Sequence, residues 1–333
     1  MNERPHDDED EARIQSLLGQ VGPRAIPPEN VARRVHDAVK KEWQELVTER
    51  VRRRRVRAAG AAASVAAVAS ISFLATMTSA PMPQMALVTR TEGRVTGDAG
   101  WLHAARNLTP TSPIHVGDDI TTAADGRAAL QVADGLSLRL DVSTSVRIAG
   151  LDRLVLEEGA VYVVSDPQAA GSGTFTVWTR NASVRHIGTQ YEVRATTEGM
   201  QVNVREGRVI IDTEEGELHE AKAGERIAIE PNGTINRTSL PQTDPHWQWV
   251  HRIAPGFDIE NRPLIEFLSW YSHETGYVVV FASDEAEKLA RETTLRGSIE
   301  GLEPRAALDA VLAATNLTSS ETPEATILIR VRK

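Results

Sequence analysis

The sequence predicts a multidomain, mainly β protein with a short helical segment, one membrane-spanning helix, an all-β domain and a small α/β module. Three observations predict this organisation. A cluster of arginines precedes an uncharged run, alternation of apolar and polar residues fills the middle of the chain, and helical periodicity returns near the C-terminal end. With 333 residues the chain has room for two or three domains.

The distribution of charge argues against a protein that binds nucleic acid. Residues 50–57 contain six arginines, whereas the chain after residue 80 carries 35 acids and 24 bases. Binding to phosphates requires a basic surface on the folded part of a protein. The sequence has no cysteine, which excludes disulfides, cysteine-containing zinc sites and thiol catalysis.

Residues 1–57 are predicted to form a small helical unit. The segment "PPENVARRVHDAVKKEWQELV" begins behind two prolines and carries an apolar stripe at helical spacing. The stripe consists of Val31, Val35, Val39, Trp43 and Leu46. Because so short a unit buries little core, the stripe either packs against the preceding segment "EARIQSLLGQVG" or binds a partner. In the second case the partner interface comprises Val35, Val39, Trp43 and Leu46.

Residues 58–80 are predicted to cross a membrane. They are 23 residues long and uncharged, although ten alanines and four serines make the run only moderately apolar. The flanking Arg52, Arg53, Arg54, Arg55 and Arg57 place the N-terminal side in the cytoplasm. An alanine-rich soluble helix would not explain these arginines, and a cleaved signal peptide would need an N-terminal region far longer than usual. A single-pass anchor is therefore expected.

Residues 87–230 are predicted to form an all-β domain. Segments such as "GRAALQVADGLSLRLDVSTSVRIAG" and "MQVNVREGRVIID" alternate apolar and polar residues. Acid–glycine pairs, among them Glu158-Gly159, Glu198-Gly199 and Glu206-Gly207, are predicted to supply the positive φ of tight hairpin turns. A sandwich, a barrel and a solenoid all remain compatible with this pattern.

The rest of the chain is predicted to be a linker and a small α/β module. Residues 231–253 contain three prolines and few strand signals, which is typical of a linker. Residues 254–333 combine strand signals with two helical patterns that begin near Pro263 and Pro304. The expected order of elements is β-α-β-β-α-β.

No catalytic, cofactor-binding or metal-binding motif stands out, and an enzyme is not expected. His246 and His251 are predicted to lie on the linker surface, because no carboxylate accompanies them in the sequence. The segment "VRHIGTQYEV" allows two interpretations. Gly188-Thr189 is either a turn or a bond that the Thr189 hydroxyl can attack, with a nearby base such as His186.

Taken together, these segments resemble the FecR family of transmembrane sigma-factor regulators. The resemblance runs through "VGDDITTAADGRAALQVADGLSLRLDVSTSVRI", "LVLEEGAVYV" and "FTVWTRNASVRHIGTQYEVRA", and its most specific piece is "GTQY" at residues 188–191. The segments "FDIENRPLIEFL" and "LRGSIEGLEPRAALDAVLAATNL" resemble the secretin/TonB short N-terminal domain. Residues 1–57 match the family only in size, helicity and a tryptophan, Trp43.

The resemblance implies a signal transducer of the bacterial inner membrane, with its N-terminus in the cytoplasm and its C-terminus in the periplasm. It implies an extracytoplasmic-function sigma factor as the cytoplasmic partner. On the periplasmic side it implies a TonB-dependent receptor or another envelope protein, and it implies no direct contact with nucleic acid. Some family members cleave themselves at the Gly–Thr bond, which corresponds to Gly188 and Thr189 here.

Two hypotheses about function follow. In the first, the protein regulates a sigma factor through residues 1–57. In the second, it is an anchored envelope module that binds a receptor, a secretin or a polysaccharide, and the N-terminal unit is only a tether. A neighbouring sigma-factor gene would favour the first hypothesis, whereas a stripe that packs fully against residues 12–18 would favour the second.

Overall fold

The computed structural model describes residues 82–98, 105–132, 135–165 and 175–332. The predicted helical unit 1–57, its stripe and the predicted anchor 58–80 lie outside these residues. In the described ranges, no helix is long and apolar enough to span a membrane. The β-domain and the C-terminal module belong to the same compact unit of the chain.

The β-domain consists of fifteen strands that, among the described residues, form one continuous sheet. The strands are β1 Gln84–Glu92, β2 Val95–Asp98, β3 Arg106–Asn107, β4 Pro113–His115, β5 Asp119–Thr122, β6 Arg127–Val132, β7 Leu136–Leu140, β8 Ser145–Ile148, β9 Arg153–Ser165, β10 Thr176–Trp178, β11 Ala182–Thr196, β12 Gly199–Thr213, β13 Leu218–Lys222, β14 Glu225–Ile229 and β15 Ile235–Ser239. Inward-facing apolar residues of nearly all of them meet in one core cluster. The sheet therefore curls around a single core, unlike the two separate sheets of a sandwich.

Three long strands turn corners in this sheet. The first half of β9 pairs with β8 and β10, and its second half pairs with β7 and β11. In the same way β11 changes from β10 to β9, and β12 changes from β14 to β13. A glycine with positive φ stands at each change: Gly159 at 90°, Gly188 at 61° and Gly207 at 74°. Glycine adopts this conformation without steric cost, so these residues bend the strands.

These corners correct part of the turn prediction. Glu198-Gly199 does join two strands, β11 and β12. Gly159 and Gly207, in contrast, lie inside β9 and β12. The prediction of hairpins there was wrong because a positive φ serves a bend within a strand as well as it serves a tight turn.

The predicted linker 231–253 is largely ordered and packed. It contains β15, a 3-10 turn at Pro245–Trp247 and the short helix α1, Gln248–Arg252. Its apolar side chains pack on the outer face of the sheet in a second cluster, which consists of Ala129, Ala160, Tyr162, Leu240, Trp247, Trp249, Val250 and Ile253. Trp247 is fully buried there and donates a hydrogen bond from Nε1 to the carbonyl of Pro241 at 3.0 Å. Both faces of the sheet are therefore covered at this position.

The C-terminal module departs from the predicted order of elements. Its elements are α2 Leu264–Thr275, β16 Val278–Phe281, α3 Asp284–Glu292, α4 Pro304–Ala313, β17 Leu317–Thr322 and β18 Thr326–Val331. The observed order is therefore α-β-α-α-β-β, with β18 between β16 and β17. The predicted first and third strands are reduced to one bridge between Pro263 and Thr294. Helix α3 was missed because it is mostly charged and buries only Ala286 and Ala290.

The module has an apolar core of its own. Residues of α2, α3, α4, β17 and β18 form a third cluster that is separate from the core of the β-domain. Phe267, Leu268 and Tyr271 of α2 are buried in it. The contacts that tie α2 to the β-domain are, by contrast, mainly polar, and they converge on β7, β11 and β12.

Candidate functional site

The Gly188-Thr189 bond lies in a β-bulge at the corner of β11. Ile187 pairs with Arg208 and Gln190 pairs with Glu206, so that Gly188 and Thr189 together face Gly207. A second shift follows at once, because Tyr191 pairs with Val204 and leaves Arg205 as the extra residue of β12. Bulges re-aim side chains and are common beside functional sites. The motif that was singled out in the sequence is thus a distortion in a continuous strand and not a turn between strands.

The bulge is tightly enclosed by the facing strand. A Cβ atom on Gly207 would lie 2.3 Å from the carbonyl oxygen of Gly188 and 2.7 Å from Cγ2 of Thr189. Only glycine leaves room for this bond at that position. Thr189 is 2% exposed, and its hydroxyl has no hydrogen-bond partner among the described residues. The hydroxyl is therefore not held away from the neighbouring carbonyl by another contact.

His186, the candidate base, is also buried. Burial lowers the pKa of its ring, which favours the neutral form that can accept a proton. The ring stacks on Tyr191, with centroids 6.2 Å apart, and neither ring nitrogen has a hydrogen-bond partner among the described residues. The nucleophile and the candidate base are thus both buried, and no hydrogen bond joins them in this state.

The residue after the bulge, Gln190, connects three parts of the protein. Its Oε1 accepts a hydrogen bond from Tyr162 on β9 at 2.6 Å, and its Nε2 donates to Glu206 on β12 at 2.9 Å. The same Nε2 lies 3.0 Å from Nδ1 of His273 and 3.2 Å from the His273 carbonyl, both on α2. Gln190 is 4% exposed. It is therefore a buried junction between the bulge and the C-terminal module.

A buried ion pair joins the module to the sheet beside this junction. Arg139 of β7 donates two hydrogen bonds to the carboxylate of Glu274 on α2, at 2.7 and 2.8 Å, and a third to the carbonyl of Val250 at 3.0 Å. Burial alone would raise the pKa of Glu274, but the attraction of Arg139 and its hydrogen bonds outweigh burial and hold that pKa below its usual value. The pair is therefore charged on both sides at neutral pH.

Arg205, the extra residue of β12, makes the second charged contact with the module. It donates to the carbonyls of Gln242 at 2.9 Å and Glu274 at 2.8 Å, and it lies 3.1 Å from Nε2 of His251. Its guanidinium also stacks over Trp247 at 5.4 Å. Burial and the nearby Arg205 lower the pKa of His251 to about 4, so that this ring is neutral at pH 7.

A third polar group lies on the same side of the sheet, around Glu192. This carboxylate contacts the ring of His246 and accepts hydrogen bonds from Asn203 at 2.5 Å and Arg194 at 2.7 Å. Burial would raise the pKa of Glu192, but His246, Arg194 and Asn203 lower it below its usual value. The prediction that His246 and His251 lie on a linker surface was therefore wrong. One ring contacts a buried carboxylate and the other a buried guanidinium.

A cleft of about 620 Å³ opens where α2 and β16 face the sheet. Gln190, Arg205 and Glu206 line one side, and Ser269, His273 and Val279 line the other. Val278, which is 57% exposed, lies at the mouth. The cleft thus lies between the module and the strands that carry the bulge.

The sequence-predicted site residues are only partly tested by this arrangement. Gly188 and Thr189 lie in the bulge. The predicted partner stripe Val35, Val39, Trp43 and Leu46 and the membrane-orienting Arg52, Arg53, Arg54, Arg55 and Arg57 fall outside the described residues. Sequence reasoning missed Arg139, Arg205 and Glu274, and it included Gln190 only as part of "GTQY", without a role of its own. The one signal for them was the pair of tryptophans in a supposed linker, which indicates a covered sheet face.

The bulge lies in a segment that is similar to a known protein family. Residues 118–210 match the family model described as FecR protein. Two crystal structures of a candidate anti-sigma factor from Parabacteroides distasonis ATCC 8503 each share 20% identity over 65% of this chain and 99% of theirs, with TM-scores of 0.35 and 0.34. No curated protein matches the chain. The resemblance to FecR is thus confirmed over residues 118–210, a segment that contains the Gly188-Thr189 bulge.

Proposed function

We propose that the protein regulates an extracytoplasmic-function sigma factor and couples its activity to a signal outside the cytoplasm. The FecR domain at residues 118–210 is the observation that carries this proposal. The order of the chain supports it, since a stripe-bearing N-terminal unit, an arginine cluster and an uncharged segment precede that domain. In this proposal the chain is anchored in the inner membrane with its N-terminus in the cytoplasm.

The cytoplasmic partner would bind the apolar stripe, and Trp43 would be its aromatic anchor. On the periplasmic side, the FecR domain and the C-terminal module would receive the signal from a TonB-dependent receptor or another envelope protein. The resemblance of the module to the secretin/TonB short N-terminal domain supports a protein partner there. The proposed regulation works through a change of binding partners, which needs no cofactor.

Changing Trp43 tests this function. We expect the Trp43→Ala variant of the full chain to recover at least tenfold less sigma factor than the wild type, because aromatic anchors dominate interface energetics. Trp43→Phe, the matched control, keeps a large apolar ring and should retain most of the binding. The measurement is quantitative mass spectrometry of proteins captured with the tagged chain from its native host. If Trp43→Ala recovered as much sigma factor as the wild type, the interface would lie away from Trp43.

We also propose that the chain cleaves its own Gly188-Thr189 bond. The Thr189 hydroxyl oxygen attacks the carbonyl carbon of Gly188, the carbon–nitrogen bond breaks, and the hydroxyl proton passes to the released amine. His186 is the candidate base for that proton. Water then hydrolyses the ester, which leaves a carboxylate on Gly188 and restores the hydroxyl of Thr189. The buried, unpartnered hydroxyl and its enclosure by Gly207 support this proposal.

Substitution of Thr189 separates self-cleavage from cutting by another protease. We expect Thr189→Ala to abolish the fragment that begins at residue 189, because no hydroxyl remains to attack, and Thr189→Ser to retain it. Intact-mass analysis of the full chain after synthesis in a cell-free system gives the cleaved fraction. A fragment with the same N-terminus from the alanine variant would contradict the mechanism.

A further inference from the structure

Gln190 occupies a position from which it can report whether the C-terminal module is docked. It follows Thr189 directly, and it lines the cleft between α2 and the sheet. Tyr162 and Glu206 hold the amide from the β-domain, and His273 holds it from the module. If the module moves away, Gln190 loses its contacts on one side only.

The module has an apolar core of its own and is held to the sheet by polar contacts. Its three hydrogen-bonded contacts with β7, β11 and β12 are the Arg139–Glu274 pair, the Arg205–Glu274 carbonyl bond and the Gln190–His273 contacts, and the ring of His273 also lies 4.0 Å from Glu206. Interfaces of this polar kind between domains permit relative motion. Two of these three contacts involve residues at the bulges of β11 and β12, namely Gln190 and Arg205. Docking therefore acts on the strand pair that holds the Gly188-Thr189 bond.

We infer that Gln190 is a positioning residue that couples docking of the C-terminal module to the geometry of the Gly188-Thr189 bond. With the module docked, the amide of Gln190 is fixed from the β-domain and from α2, and the bulge is held on both sides. With the module displaced, the bulge is held from the β-domain alone. This inference rests on the proposed self-cleavage, and it makes the C-terminal module the regulator of that reaction.

The test uses His273, because its side chain is 46% exposed and its loss should not unfold the protein. We expect His273→Ala in the full chain to speed amide hydrogen exchange of residues 187–191 about tenfold. We expect it to lower the cleaved fraction about tenfold as well, since small misplacements of reacting groups are costly. His273→Gln, which keeps a side-chain acceptor for Gln190, should rescue both quantities. His115→Ala, a change at a similarly exposed histidine that contacts Asp118, is the matched control and should match the wild type.

A double-mutant cycle decides whether the effect passes through Gln190. If it does, the double variant Gln190→Ala with His273→Ala should show the same exchange at residues 187–191 and the same cleaved fraction as Gln190→Ala alone. The inference would be overturned if residues 187–191 exchanged at the wild-type rate in His273→Ala. It would also be overturned if the effects of the two substitutions were fully additive in the double variant. If the wild-type chain shows no cleavage at residue 188, the proposed self-cleavage fails by itself, and the exchange cycle still decides the coupling.

Discussion

Replacing Arg139 by Met should lower the free energy of unfolding of the described unit by about 3–5 kcal/mol. The reason is the buried carboxylate of Glu274, which would lose two hydrogen bonds and its counter-charge and could not reach water. The carboxylate then either remains charged at high cost or takes up a proton. Urea unfolding of the full chain, followed by tryptophan fluorescence, measures the loss.

Two further variants show that the cost comes from the unpaired charge. The double variant Arg139→Met with Glu274→Met removes both charges, and it should recover most of the loss because apolar groups can replace a buried pair. Arg262→Met makes the same change in an exposed pair with Glu266 on the same helix, and it should cost less than about 1 kcal/mol. A double variant as unstable as Arg139→Met would contradict the role assigned to the pair.

Acidification should weaken the same interface through His251. Its pKa is about 4 in the folded protein, against about 6.5 for an unperturbed histidine. Between these values the unfolded chain binds more protons than the folded protein. The contribution of His251 to the free energy of unfolding is therefore fully present above about pH 6.5 and falls as the pH is lowered toward 4. The groups that face the ring are Arg205 on β12, Arg139 on β7 and Glu274 on α2. The expected loss between pH 7.5 and pH 5 is about 2 kcal/mol.

The difference between wild type and His251→Asn isolates this contribution. The asparagine amide can still accept a hydrogen bond from Arg205 but does not titrate, so the variant should lose less stability between pH 7.5 and pH 5. A remaining slope is expected from His186, whose pKa burial also lowers. If the free energy of unfolding changed equally with pH in the wild type and in His251→Asn, His251 would not be the responsible group.

The β-domain was predictable because its strands have a buried and an exposed face, and the alternation of apolar and polar residues indicates such strands. The corners were not predictable, since Gly159 and Gly207 follow acidic residues just as a hairpin glycine does. The predicted order of elements in the C-terminal module was wrong for a related reason. Helix α3 has a Ser283 cap and a narrow apolar face of Ala286, Leu289 and Ala290, which is a short periodic signal within a mostly charged segment.

The polar interface was hidden from the sequence for a different reason. Arg139 lies between Leu138 and Leu140 on the face of β7 that alternation assigns to solvent. Only the packing of α1 and α2 on that face makes it buried. Arg139 meets Glu274, and Gln190 meets His273, only through long-range contacts, and local patterns carry no information about such pairs. The Gly188-Thr189 motif was singled out in the sequence and again by the family resemblance, but its bulge geometry required the strand register.

The most direct test of the account is the identity of the proteins that the full chain holds in its native host. The chain would be captured through an N-terminal tag after mild solubilisation, and its partners would be quantified by mass spectrometry. We expect an extracytoplasmic-function sigma factor in near-stoichiometric amount with the wild type, and we expect its loss with Trp43→Ala. Recovery of envelope proteins alone, with no sigma factor or RNA polymerase, would contradict it and favour an anchored binding module.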